Sequence, residues 1–145
     1  ICAAIRQLAL RYANDTEFIY PVHPNPNIQA PVFQQLSNLA NVHLIPPLDY
    51  LPMVHAMKSS TLILTDSGGL QEEAPALGIP TLVLRETTER PEGVEAGTLK
   101  LVGSDTNLIV SSASILLDDP KAHAAMANAF GPFRCVTSVG RWCVL

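Results

Sequence analysis

Between residues 62 and 97 the chain gathers the groups best suited to hold an anion. Leu62-Ile63-Leu64 is an apolar run of strand type, and Ser67-Gly68-Gly69 follows it almost directly. A helix-like segment, Leu70 to Leu77, comes next. A strand that passes into a helix through small residues leaves several backbone N–H groups free at the positive end of the helix, a seat that favours phosphate. A side chain at either glycine would obstruct close approach by a bulky anion. Glu72, Glu73, Arg85, Arg90 and Glu95 surround this turn in sequence. A single carboxylate can accept from two adjacent donors, and guanidinium groups suit phosphate oxygens. Without a ligand the same residues read as a plain turn, a solvated helix face and surface ion pairs of little energetic weight.

Those groups need a frame, and the order of elements supplies one. Ile1, Ile5, Leu8 and Tyr12 recur at helical spacing with no capping residue in front of them, so the chain is expected to begin inside a helix whose upstream part is absent. Phe18 to Val22 reads as a buried strand. His23-Pro24-Asn25-Pro26-Asn27 reads as a loop, because its two prolines forbid regular pairing. Asn27 is expected to cap a helix with Val32, Phe33, Leu36 and Leu39 on one side. Strands are expected at 42–45, 61–64, 81–84 and 98–102, and helices at 50–57, over 108–116 and from Asp119-Pro120. Pro75 should kink or shorten the helix after Gly69, which stops at Gly78. Strands alternating with helices imply an α/β fold with a parallel, doubly wound sheet. Ligands of such sheets lie beyond the carboxyl ends of the strands, where the His23 loop, the Ser67 turn and the Arg85–Arg90 loop converge.

Composition sets outer limits. The 145 residues suffice for one domain with a substantial core. Hydrophobic residues make up 48% and charged ones 15%, which argues against disorder for most of the chain. The net charge is −4 and no basic run occurs, so nucleic acid is not expected as a partner and an anionic ligand must rely on local donors. No apolar stretch approaches the roughly 20 residues that span a bilayer, and the first residues do not make a signal peptide. The three cysteines, Cys2, Cys135 and Cys143, lack metal spacing and read as reduced thiols of a cytoplasmic protein. No histidine pair has metal-ligand spacing; His43 and His55 read as packing or surface residues.

The run from Thr65 to Pro75, with Arg85 to Glu92 and Glu95-Ala96-Gly97, closely resembles the non-hydrolysing UDP-N-acetylglucosamine 2-epimerases. Pro21-Val22-His23-Pro24-Asn25-Pro26 resembles a second motif of that family, and the likeness runs from Ile1 to about Ala129. It implies a Rossmann-like parallel sheet flanked by helices, the carboxyl-terminal half of a two-domain fold of the type B glycosyltransferase kind. It implies interconversion of UDP-N-acetylglucosamine and UDP-N-acetylmannosamine by elimination and re-addition of UDP, without a metal or redox cofactor. By the same likeness Ser67, Gly68 and Gly69 contact the diphosphate, Glu73 accepts from the ribose hydroxyls, Arg90 pairs with phosphate or braces a closed cleft, and His23 lies near a second, regulatory nucleotide site. The family's catalytic carboxylates belong to the amino-terminal domain, so no catalytic residue is assigned and the chain alone is expected to be inactive. Members are commonly dimers.

A glycosyltransferase of the same fold, a hydrolysing 2-epimerase and a non-catalytic nucleotide-sugar sensor or gene remnant are the alternatives; the glutamate-rich helix start and the threonine-arginine loop favour the epimerase over the glycosyltransferase. Domain organisation follows as a UDP-binding domain over 1–129, incomplete at its start, and an atypical tail over 130–145. Where the family continues Asn-Pro-Tyr-Gly-Asp-Gly, this chain reads Phe130-Gly131-Pro132-Phe133-Arg134-Cys135. A change of reading frame or a truncated gene, rather than an evolved extension, is the expected cause, with 130–145 poorly ordered and Phe133 and Trp142 exposed.

Overall fold

Leu62, Ile63 and Leu64 carry apolar side chains on both faces of the backbone, and all three are fully buried. A strand covered on both faces needs such a run. The computed structural model of the protein describes residues 1–127 and 141–145. Its elements are α1 (Cys2–Arg11), β1 (Thr16–Pro21), α2 (Pro26–Leu36), β2 (Val42–Ile45), α3 (Tyr50–Lys58), β3 (Leu62–Thr65), α4 (Gly68–Ala76), β4 (Thr81–Val83), α5 (Pro91–Glu95), β5 (Leu99–Leu101), α6 (Thr106–Asp118), α7 (Pro120–Ala127) and β6 (Arg141–Val144). The six strands form one sheet in the order β2-β1-β6-β3-β4-β5, with every pairing parallel. The expected α/β class with a Rossmann-like parallel sheet flanked by helices is the fold observed.

Alternate strand residues feed two cores, as the period of two requires. Phe18, Leu62, Leu64, Leu82 and Cys143 pack with Ile5 and Leu8 of α1, Val32 and Leu36 of α2, and Ile109 and Leu116 of α6. Ile63 and Val144 pack on the other side with Met57 of α3 and Ala74 of α4. Side-chain hydrogen bonds close the gaps between layers. The Asn41 amide donates to the Ala9 and Thr16 carbonyls at 3.0 Å each, tying α1 to β1. Among the described residues no helix is long and apolar enough to cross a membrane.

The largest departure from expectation is the tail. Residues 130–140, with Phe133, lie outside the described residues. Arg141–Val144, expected to be poorly ordered, instead forms β6 between β1 and β3. Phe18 is in register with Cys143 and Ile19 with Val144 on one side; Leu62 and Ile63 face the same two residues on the other. Thr61 N–H donates to the Trp142 carbonyl at 2.7 Å, and Leu145 N–H to the Ile19 carbonyl at 3.0 Å. The physical reason is the alternation of the segment itself. Cys143 supplies one core and Val144 the other, so four residues seal the middle of the sheet. Trp142 is half-buried rather than exposed, its ring centroid 6.4 Å from that of His43.

Smaller corrections concern helix ends. Asn25, not Asn27, caps α2: its side chain accepts the Asn27 N–H at 2.9 Å, and Pro26 opens the helix. Phe33 is exposed, and Leu39 lies beyond the end of α2. α4 begins at Gly68, so the two glycines belong to its first turn and Glu72 and Glu73 do not. The loop expected from Arg85 ends at Arg90, because Pro91–Glu95 forms a short helix, α5, with proline in its first turn.

Candidate functional site

The start of α4 is built by Thr65. Its hydroxyl accepts the Ser67 N–H at 3.0 Å and turns the chain off β3. Ser67 is the N-cap with extended backbone angles (φ −77°, ψ 128°), yet its own side chain makes no capping bond. The first bond of the helix runs from Gln71 N–H to the Ser67 carbonyl, at 3.4 Å. The N–H groups of Gly68, Gly69 and Leu70 therefore precede the helical ladder. No acidic side chain occupies this first turn, so the partial positive charge of the helix end is not neutralised from within α4.

Neither glycine is required by the backbone, since neither has a positive φ. A Cβ at Gly68 would come no closer than 3.9 Å to Glu89 Oε2, and one at Gly69 no closer than 3.9 Å to Ser67 Oγ. Both distances are ordinary contacts, so the protein itself has room for side chains there. Small residues at a helix start that the fold does not demand fit the close approach of a ligand.

Ser67, Gly69 and Glu73 line an open cavity of about 500 Å³ at the carboxyl ends of the strands. Tyr20 at the end of β1, Met53 on α3 and Leu145 after β6 also line it. His23 lines this same cavity. Its Nδ1 accepts the Asn25 N–H at 3.2 Å, which holds the ring against the loop. Burial lifts the Tyr20 phenol above its ordinary range, with the nearby Cys2 and Asp66 adding to the effect, so Tyr20 presents a neutral hydroxyl.

No arginine or lysine is among the residues lining the cavity. Asp66 and Glu73 give it negative charge, and Ser67, Gly69 and Leu70 bring the start of α4 into its wall. Gly68 and Arg90 stand outside it. Arg90 caps α5 and pairs with Glu72, both groups being about half exposed. Thus Ser67, Gly69, Glu73 and His23 come together, while Arg90 stays outside the cavity, paired with Glu72. Arg85 is exposed. Tyr20, Met53 and Leu145 were not singled out from sequence. The rule that ligands sit beyond strand ends could have found Tyr20. Leu145 had no such signal, because its strand is the one not expected. Among the described residues no cluster of three His, Cys, Asp or Glu side chains could hold a metal ion.

A family model described as UDP-N-acetylglucosamine 2-epimerase matches residues 1–142. The UDP-N-acetylglucosamine 2-epimerase of Neisseria meningitidis serogroup A is 52% identical over 130 residues, which is 90% of this chain and 35% of that protein. The crystal structure of UDP-GlcNAc 2-epimerase from N. meningitidis bound to UDP-GlcNAc superposes with a TM-score of 0.86 at 52% identity, covering 88% of this chain and 34% of that one. S. aureus MnaA, in a co-structure with UDP, gives a TM-score of 0.84 at 41% identity, covering 90% and 36%. The chain thus spans about a third of the length of the relatives it matches.

Proposed function

We propose that this chain, which belongs to the UDP-N-acetylglucosamine 2-epimerase family, forms the UDP-holding half of an isomerase that interconverts UDP-N-acetylglucosamine and UDP-N-acetylmannosamine. The observation that carries this reading is the meeting of free α4 N–H groups with Glu73 in one cavity at the strand ends. The peptide groups near Ser67, Gly68 and Gly69 bind the diphosphate. Glu73, a carboxylate with two acceptor oxygens, takes the two ribose hydroxyls. Arg90 turns from Glu72 toward the phosphates when they arrive. The cavity suits a leaving diphosphate, because oriented peptide dipoles stabilise the charge that builds as the bond to the sugar breaks.

Proton transfer at carbon 2 of the sugar needs an acid/base pair. By family likeness that pair belongs to another domain, so this chain binds and does not turn over. We place it in the cytoplasm, in nucleotide-sugar metabolism that serves polysaccharide biosynthesis, with homodimers for the full-length family.

Isothermal titration with UDP, ADP and uridine tests the reading. UDP is expected to bind more tightly than either, with no epimerisation by the chain alone. Equal affinity for ADP would remove uridine recognition, and turnover would return a catalytic residue to these elements.

A further inference from the structure

The segment from Arg85 to Arg90 joins β4 to α5, and one hydroxyl fixes it to α4. Thr88 Oγ1 donates to Gln71 Oε1 at 2.6 Å and accepts the Arg90 N–H at 2.9 Å. Gln71 is 2% exposed. Its Nε2 is buried without a partner among the described residues. A buried primary amide with an unused donor is a costly side chain to keep where an apolar one would pack. Its acceptor end, however, is committed to Thr88. Its backbone N–H also closes the first turn of α4 on Ser67. One residue therefore joins the ligand-facing helix start to the loop that carries Arg90.

The Arg90–Glu72 pair cannot supply that positioning by itself. Both partners are about half exposed, and ion pairs of that kind are weakened by solvent and salt. The Thr88–Gln71 bond is shielded and short, and it ends on the Arg90 backbone rather than on a mobile side chain.

We propose that Gln71 and Thr88 are positioning residues: their hydrogen bond holds the Arg90 loop over the start of α4, so that guanidinium and free peptide N–H groups meet the same diphosphate. This rests on the reading of that helix start as a diphosphate seat.

The full chain is compared with Thr88→Val, Thr88→Ser and Gln71→Met, by UDP and uridine titration and by hydrogen exchange at the Arg90 amide. Thr88→Val is expected to speed Arg90 exchange and to weaken UDP about fivefold, the size of one lost hydrogen bond, while uridine affinity stays constant. Thr88→Ser keeps the hydroxyl and restores both. Gln71→Met reproduces the Thr88→Val losses from the opposite partner. The proposal fails if Thr88→Val binds UDP like the parent, or if Thr88→Ser is as impaired as Thr88→Val. A parent chain that binds no UDP overturns the diphosphate reading and this inference with it. A parent that binds UDP, alongside a Thr88→Val variant that binds it equally, overturns only the inference.

Discussion

The guanidinium of Arg90 rests on the carboxylate of Glu72, on the outer side of α4. For Arg90 to reach a phosphate in the cavity it must give up that partner. The exchange is inexpensive, because exposed pairs of this kind contribute about 0–1 kcal/mol. Glu72→Gln should therefore leave thermal stability almost unchanged and bind UDP as well as the parent or a few-fold better, by freeing the arginine. Arg90→Gln should weaken UDP with little effect on uridine. Parallel titrations at low and high salt check both. A Glu72→Gln chain that loses UDP affinity would make Glu72 itself a ligand group.

The two glycines give a sharper separation of fold from function. Glycine inside a helix costs roughly 0.5–1 kcal/mol relative to alanine. Added Cβ atoms at Gly68 and Gly69 meet nothing closer than 3.9 Å. Gly68→Ala and Gly69→Ala should then melt at or slightly above the parent's temperature. UDP affinity should fall by about tenfold or more, over 1.4 kcal/mol, because the new methyl occupies space next to the peptide N–H groups. Calorimetric melting alongside titration checks this. Alanine variants that bind UDP normally would detach the glycines from any ligand.

Much of this arrangement was legible in the sequence because its signals were local. The run Leu62 to Leu64, the small residues after it and Pro80 beyond Gly78 marked a strand, a helix start and a helix stop. The seat for an anion followed from those alone. The helix start itself was displaced by two residues, since Gly68 and Gly69 adopt helical angles that glycine propensity disfavours. The partner of Arg90 was not legible, because Glu72 and Glu73 differ only in which side of α4 they face. β6 was hidden for a different reason. Four residues at the end of an unfamiliar tail carry no periodicity that separates a strand from a loop. Their place between β1 and β3 depends on neighbours far away in sequence, Cys143 pairing with Leu62, 81 residues earlier, and with Phe18, 125 residues earlier, and only the sheet reveals that Cys143 and Val144 fill opposite cores.

Glu73 should report on ribose. A carboxylate that accepts from both hydroxyls loses one bond when the ligand is 2′-deoxy-UDP. The parent is expected to bind 2′-deoxy-UDP about tenfold more weakly than UDP, the range of a hydrogen bond to a charged group. Glu73→Ala should bind both equally. A double cycle of ligand and variant measures the coupling directly. Equal losses for both ligands in Glu73→Ala would assign Glu73 to shaping the cavity wall instead.

Cys143 makes β6 measurable through pH. Its thiol is fully buried in the centre of the sheet, and burial pushes its pKa up to about 12 from an ordinary 9.0. In the native protein it stays protonated where the unfolded chain has lost the proton. Between those two values the folded state binds more protons, so stability must fall as pH rises. The contribution is intact below pH 9 and is lost progressively toward pH 12, on the order of a few kcal/mol in all. Tyr12 and Tyr20, whose phenols are also raised by burial, steepen the loss above pH 10. Cys143→Ala removes the largest part of this dependence, at the expense of a small cavity. Urea midpoints from pH 8 to pH 11 should therefore drop more steeply for the parent than for Cys143→Ala. Iodoacetamide with peptide mapping gives the independent readout. Cys143 should resist alkylation at pH 8 while the chain is folded and react readily in urea, because only a thiolate is a competent nucleophile. Rapid alkylation of native Cys143 would mean that β6 leaves the sheet in solution.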